Sequence, residues 1–185
     1  MSRILLVYAT GEGQTEKVAT RLADRLRGAG HEVTVSHVSE TDAAAVEAAD
    51  GVLLAASIHM GKPQDAVVAF ASEHRDLLAA RPSGYVEVCL SAAVDDPERQ
   101  ADAHRYVDEF RERTGWDPDA VGVFGGAVRY SQYGFLKRRL MKRIAAEATG
   151  DTDTSRDYEY TDWDAVAAFA AEFGDLVVGD VEAAP

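Results

Sequence analysis

The chain has 185 residues, 46% of them apolar and 28% charged, a balance typical of a soluble globular protein long enough to bury a substantial core. Its net charge of −13 argues against nucleic acid as a partner for the chain as a whole, because binding to a polyphosphate needs a basic surface. The single Cys89 excludes an intramolecular disulfide or a cysteine-cluster metal site, and no run of 18 apolar residues is present to span a bilayer. Only four of the 19 basic residues are Lys, a bias that fits a salt-adapted organism and a GC-rich genome equally well.

Ile4-Leu5-Leu6-Val7 reads as a buried strand near the start of the sequence, with no signal peptide before it, so a cytoplasmic location is expected. Val18, Leu22 and Leu26 recur at helical spacing, and Gly28-Ala29-Gly30 stops that helix. Residues 31–38 alternate as a second strand, residues 42–49 form a short Ala-rich helix, and residues 51–56 are an apolar run of strand length. A loop over residues 57–63 leads to a helix marked by Val67, Val68 and Phe70, with Pro63 suited to its N-terminus. Residues 85–90 form the fourth strand. After it come a loop, a helix bearing Tyr106, Val107 and Phe110, and a fifth strand over residues 120–124 that ends at Gly125-Gly126. A long segment, 127–160, precedes a last helix capped by Thr161-Asp162 with the stripe Trp163, Val166, Phe169, Ala170, Phe173 and Leu176. Five strands alternating with helices predict an α/β fold with a doubly wound five-stranded parallel sheet of flavodoxin-like order 2-1-3-4-5. The expected organisation is one domain over residues 1–178, with an insert at 127–160 and a frayed tail at 179–185. Cys89 falls in the apolar fourth strand, where buried packing is its expected role.

The stretch Thr10-Gly11-Glu12-Gly13-Gln14-Thr15 joins the first strand to the first helix. Backbone N–H groups at a helix start attract phosphate, the two threonines add hydroxyl donors, and the glycines permit close approach. No Gly-Lys-Ser/Thr follows, which rules out a Walker loop, and Glu16 stands where the dinucleotide fingerprint needs its third glycine. The pattern that fits is [ST]-x-x-G-x-T, a phosphate loop built from neutral donors; the alternative is a glycine-rich turn with no ligand. In this topology a ligand lies at the carboxyl ends of the strands, where residues 10–15, 57–62 and the loop from Leu90 meet. Response regulators share the topology, but they place an acidic pair after strand 1 and an Asp after strand 3, where this chain has Tyr8-Ala9-Thr10 and Ser57.

The chain holds 32 acids, yet none lies between Ala120 and Ala146, where Arg129, Lys137, Arg138, Arg139, Lys142 and Arg143 are found. Leu136, Leu140 and Ile144 repeat every four residues beside Met141, which makes residues 135–144 a basic amphipathic helix suited to an anionic membrane surface. The same positive surface would attract a substrate bearing carboxylates. The alternative is a surface helix whose apolar stripe packs on its own domain.

The loop Thr10-x-x-Gly13-Gln14-Thr15 resembles the flavodoxin family. Three further stretches narrow the resemblance: Ala56-Ser57-Ile58 with Gly61; Gly126-Ala127-Val128-Arg129-Tyr130; and Thr152-Asp153-Thr154 with Tyr160-Thr161-Asp162-Trp163. In order and spacing these look like the flavodoxin-like, quinone-dependent protoporphyrinogen IX dehydrogenases of haem biosynthesis, over residues 3 to about 175. The resemblance implies FMN held by Thr10, Gly11, Glu12, Gly13, Gln14, Thr15, Ser57, Ile58, His59, Met60, Gly61, Leu90, Ser91 and Ala92. It implies oxidation of protoporphyrinogen IX with a membrane quinone, typically menaquinone, as acceptor, by a protein peripheral to the inner face of the cell membrane. Arg129 and Tyr130 are expected on the substrate side together with His59, and the cations of 137–143 at the membrane or the substrate's propionates.

The chain departs from that pattern at His59, where the family often has Arg or Lys, and at Met60, where an aromatic residue would stack on the flavin. The loop from Ser91 to Asp96 also lacks an aromatic residue, so weaker stacking is expected. His59 is either a pH-dependent partner of flavin or substrate or a plain exposed loop residue. Glu98, His104 and Asp108 read as a solvated helix face. Three other functions compete: a flavodoxin electron carrier, which does not need the insert; an NAD(P)H-quinone reductase, for which no nicotinamide site is recognisable; and a flavin-free docking module, which does not need the intact loop.

Overall fold

The computed structural model describes residues 1–183. Five parallel strands form the main sheet: β1 (Arg3–Ala9), β2 (Glu32–His37), β3 (Gly51–His59), β4 (Ser83–Cys89) and β5 (Ala120–Gly125). They lie side by side in the order β2-β1-β3-β4-β5, the flavodoxin-like order expected. Val7 aligns with Leu54, Leu54 with Tyr85, and Tyr85 with Val121 across the sheet.

The apolar runs of the central strands are buried on both sides, and alternation sends their side chains to two cores. On one side Leu6, Leu53 and Val86 pack against α1 (Gln14–Gly28), through Val18, Leu22 and Leu26, and against α7 (Trp163–Ala183), through Val166, Phe169, Phe173 and Val177. On the other side Leu5, Val7, Leu54 and Tyr85 meet Val46 of the short α2 (Ala43–Glu47), Val67 and Phe70 of α3 (Asp65–Glu73), Leu78 of α4 (Arg75–Ala79), and Val107 and Phe110 of α5 (Pro97–Thr114). Asp96 caps α5 by accepting from the backbone N–H of Glu98 and Arg99, and Gly115 ends it in the left-handed conformation at φ 65°.

The third strand does not stop at Ala56. It continues to His59 and turns back through Met60 and Gly61 into a two-residue antiparallel strand, Lys62–Pro63. Both turn residues have positive φ, 50° and 76°, as a tight two-residue hairpin requires. Pro63 therefore closes a hairpin instead of starting a helix, and α3 begins at Asp65. Nothing in the apolar periodicity of 51–56 marks this extension, because the added pairs are made by backbone.

The insert after β5 is bracketed by two short antiparallel strands, Ala127–Val128 and Tyr158–Glu159, and carries α6 (Phe135–Ala148). Val128, Tyr130, Tyr133 and Ala145 form a small core of their own, joined by Leu90, Met141, Tyr158 and Tyr160. Residues 179–183, expected to fray, instead continue α7 through Gly179 to Ala183. One helical glycine costs only about 1 kcal/mol, and no proline interrupts the segment before Pro185. Residues 184–185 lie outside the described residues.

Candidate functional site

The loop between β1 and α1 is shaped for an anion. Gly13 sits in the left-handed region at φ 88° and donates its N–H to Thr10 Oγ1 at 2.9 Å. No side chain caps α1, so the first N–H groups of the helix face the loop without an intrahelical acceptor. Thr15 Oγ1 is buried and has no hydrogen-bond partner among the described residues. A buried unsatisfied hydroxyl beside free helix amides is costly unless a ligand completes it, and a phosphate oxygen fits that role.

The loop is held from behind. Gln14 is buried, its Nε2 donates to Thr161 Oγ1 at 2.8 Å, and that hydroxyl donates to the Gly125 carbonyl at 2.6 Å. Arg129 Nη2 donates to Gln14 Oε1 at 2.7 Å. Glu159 joins the group, pairing with Lys17 at 2.5 Å and accepting from Trp163 Nε1 at 3.1 Å. Asp162 caps α7 by accepting from the N–H of Asp164 and Ala165, each at 3.0 Å. The Tyr-Thr-Asp-Trp stretch is thus the fastening of the phosphate loop and the start of α7. A Cβ on Gly125 would come within 2.4 Å of the Tyr160 carbonyl, so this close approach needs glycine.

Two adjoining cavities open at the carboxyl ends of the strands. The first, about 100 Å³, is lined by Thr10, Gly11, Glu12, Gln14 and Thr15 on one side and by Ser57, Gly126 and Ala127 on the other. The second, about 420 Å³, lies between the β3 hairpin, α5 and α6. Ile58, His59, Cys89, Leu90 and Met141 border both. Ser57, held by Gln64 Nε2 at 2.7 Å, lines the first cavity, while Met60, Gly61 and Ser91 line the second. Gly13 and Ala92 line neither. Gly13 shapes the loop through its backbone, and Ala92 lies in a short 3-10 turn, Ser91–Ala93.

Two expected substrate-side residues are elsewhere. Tyr130 is fully buried in the insert's small core, where its hydroxyl donates to the Asp151 carbonyl at 3.2 Å. Arg129 lines neither cavity; its Nη2 donates to Gln14 and lies 3.8 Å from Glu159, while its buried Nε has no hydrogen-bond partner among the described residues. Both follow the short strand Ala127–Val128, which turns the chain back beneath the loop. His59 does border both cavities and is exposed.

Glu12 bridges the loop and the insert. Its Oε1 pairs with Lys137 Nζ at 2.8 Å, and its Oε2 accepts from the Tyr133 hydroxyl. Burial, and next the Glu12 carboxylate, push the Tyr133 phenol well above its ordinary range, so it remains a donor. The apolar stripe of α6 does not pack on the protein as a whole. Met141 and Ala145 turn inward, but Phe135, Leu136 and Leu140 are 80%, 81% and 57% exposed. Arg138, Arg139, Lys142 and Arg143 are exposed beside them. Glu98, His104 and Asp108 are exposed, as expected of a solvated face.

Sequence reasoning missed Arg99, Tyr106 and Gln64. Arg99 and Tyr106 are seven residues apart in α5, two turns on one face, which was the available signal. Cys89 is buried, as expected of a residue packed in the fourth strand, and it ends β4 at the border of both cavities.

The flavodoxin domain family matches residues 5–155. The protoporphyrinogen IX dehydrogenase [quinone] of Escherichia coli (strain K12) is 33% identical over 174 residues, covering 94% of this chain and 96% of that one. The chain belongs to the flavodoxin-like, quinone-dependent protoporphyrinogen IX dehydrogenase family. The family member from Leishmania major is 32% identical over 178 residues, covering 94% of this chain and 75% of its own. Among solved structures, a short-chain flavodoxin associated with a bacterial microcompartment superposes with a TM-score of 0.60 at 21% identity, over 97% of this chain and 99% of that one. A flavodoxin from Streptococcus pneumonia TIGR4 superposes with a TM-score of 0.59 at 19% identity, over the same shares. Both show the fold. The family relation covers the insert and the Tyr-Thr-Asp-Trp fastening as well as the loop. Among the described residues no cluster of His, Cys, Asp or Glu is arranged to hold a metal ion, and no helix is long and apolar enough to cross a membrane.

Proposed function

We propose that this protein oxidises protoporphyrinogen IX to protoporphyrin IX in haem biosynthesis, with FMN at the loop and a membrane quinone of the menaquinone type as electron acceptor. The observation that carries the reading is the junction of the two cavities: a phosphate cradle with an orphaned Thr15 hydroxyl opens, through Ile58, His59 and Leu90, into an apolar chamber walled by the family's insert. Overall, one protoporphyrinogen loses six electrons and six protons to three quinones in three two-electron steps. Bound FMN supplies the two-electron exchange. The protein supplies the rest. Thr10, Thr15 and the amides of residues 11–15 hold the phosphate. Ser57, Ile58, Met60 and Leu90 border the space for the ring. His59, at the junction, would take a proton released by the donor. Arg129 positions Gln14 and the loop rather than touching substrate.

Helix α6 is the membrane contact in this proposal. Its exposed Phe135 and Leu136 would sit among acyl chains while Arg138, Arg139, Lys142 and Arg143 meet anionic headgroups at the cytoplasmic face. An acceptor dissolved in the bilayer would then lie next to the cavity that Leu140 and Ile144 help to line.

Anaerobic turnover tests the reaction. FMN-loaded protein is mixed with protoporphyrinogen IX and a soluble menaquinone analogue, and porphyrin fluorescence is followed. Fluorescence that rises only with both FMN and quinone is the expected result. A protein that binds FMN but forms no porphyrin would be a carrier or a reductase for another donor, and one that takes up no FMN would overturn the assignment of the loop.

A further inference from the structure

The second cavity is chemically unlike the rest of the molecule. In a chain of net charge −13, no Asp or Glu is among the residues that line it. Its walls are apolar, with Ile58 and Met60 on the hairpin and Leu140, Met141 and Ile144 on α6. Two cations reach it from different elements: Arg99 in the first turn of α5 and Lys137 in the first turn of α6. Tyr106 closes the hairpin side, and a Cβ on Gly61 would lie 3.8 Å from its ring. Met60, 88% exposed, is held at φ 50°, a conformation that costs a non-glycine residue about 1 kcal/mol or more, so the tip is kept in place against local preference.

An apolar chamber with cations on separate walls and no acid matches a largely apolar macrocycle that carries carboxylates on its periphery. A quinone matches only the apolar part. Arg99 has the better chemistry for a carboxylate, since a guanidinium binds both oxygens at once. Lys137 is already paired with Glu12 at 2.8 Å, so an incoming carboxylate would share its ammonium.

We propose that the α5–α6 side of this cavity is the carboxylate-recognition subsite for the tetrapyrrole donor, with Arg99 holding one propionate, Lys137 a second, and Leu140, Met141 and Ile144 of α6 covering the macrocycle opposite the hairpin that borders the flavin ring. The subsite sorts the two substrates: the donor uses the cations and the walls, and the quinone uses the walls alone. The proposal rests on the reading of the donor given above and adds the residues that select it.

The test is equilibrium binding of protoporphyrin IX and of its dimethyl ester to FMN-loaded protein at low ionic strength, followed by porphyrin fluorescence. The free diacid is expected to bind at least about tenfold more tightly than the ester. Arg99→Gln should remove most of the diacid's advantage over the ester, Arg99→Lys should restore part of it, and Lys137→Gln should have a smaller effect. In turnover, Arg99→Gln should raise KM for the donor and leave KM for the quinone and the affinity for FMN unchanged. A wild-type protein that binds diacid and ester equally, or an Arg99→Gln variant that keeps the full preference, overturns the proposal. The ester comparison needs no variant, so a folding failure of Arg99→Gln does not block it. Turnover without a diacid preference sinks this subsite alone; a diacid preference without turnover supports the subsite and sinks the donor's oxidation.

Discussion

Replacing Glu87 by Gln should change how stability depends on pH. Glu87 lies in the middle of β4, is 0% exposed, and neither carboxyl oxygen has a hydrogen-bond partner among the described residues. Its ionisable neighbours on the same strand face are Tyr85 and Cys89, both buried and both uncharged at neutral pH. Burial pushes the carboxyl from an ordinary 4.5 up to about 8, against a smaller opposing effect of the adjacent Cys89 thiol. Between those two values the unfolded chain has released the proton and the native state still holds it, so stability falls as pH rises from 4.5 and levels off above 8. At pH 7 the gap is about 2.5 pH units, which at about 1.36 kcal/mol each gives a penalty of about 3 kcal/mol. Gln cannot ionise, so the variant lacks this loss. Urea unfolding of both proteins at matched salt, from pH 4.5 to pH 8, should show the variant gaining about 3 kcal/mol on the wild type by pH 7. All other titrating groups cancel in the difference. A difference that stays constant across that range would refute the argument, whatever its absolute size, because a changed hydrogen bond or packing shifts both ends equally.

Thr15→Val should weaken FMN binding by about tenfold or more in a fluorescence titration, and Thr15→Asp by considerably more, since it sets a carboxylate against the phosphate; unchanged affinity in the Asp variant would remove the loop from the site. Thr161→Val touches no cavity, yet it releases Gln14 Nε2 and should cost several-fold in FMN affinity, with Thr161→Ser recovering most of it. Replacing Lys137, Arg138, Arg139, Lys142 and Arg143 by Gln should abolish flotation with anionic vesicles at low salt, and the wild type should lose it as salt rises; binding that persists in the variant would move the membrane contact away from α6.

The sheet was legible because its information is local. Continuous apolar runs of strand length, separated by amphipathic helices, admit few arrangements, and right-handed crossovers select one. The phosphate loop was legible for the same reason, since its donors are consecutive. What escaped depends on backbone or on distant partners. The β3 hairpin is built by main-chain pairing of His59 with Lys62, and Met60 bears no turn signal. Tyr130 and Arg129 sit in a conspicuous basic and aromatic stretch, but the short strand Ala127–Val128 turns one into a core and the other under the loop. Arg99 and Tyr106 belong to a helix whose neighbours in sequence are solvated, and only the approach of α6 makes them a wall. The exposed stripe of α6 shows the same limit: its periodicity states that one face is apolar and says nothing of what covers it.

The fastening of Gln14 also bears on the order in which the molecule matures. The cradle's residues leave the ribosome before their brace does: Arg129 follows Gln14 by 115 residues and Thr161 by 147. Until both have emerged and docked, the loop has its sequence and lacks its brace, and a flavin meeting the nascent chain would find amides that are still moving. Cofactor capture therefore waits until Thr161 has emerged, and a ribosome stalled before Thr161 should display a chain that has made its βα unit around the loop and cannot yet turn yellow.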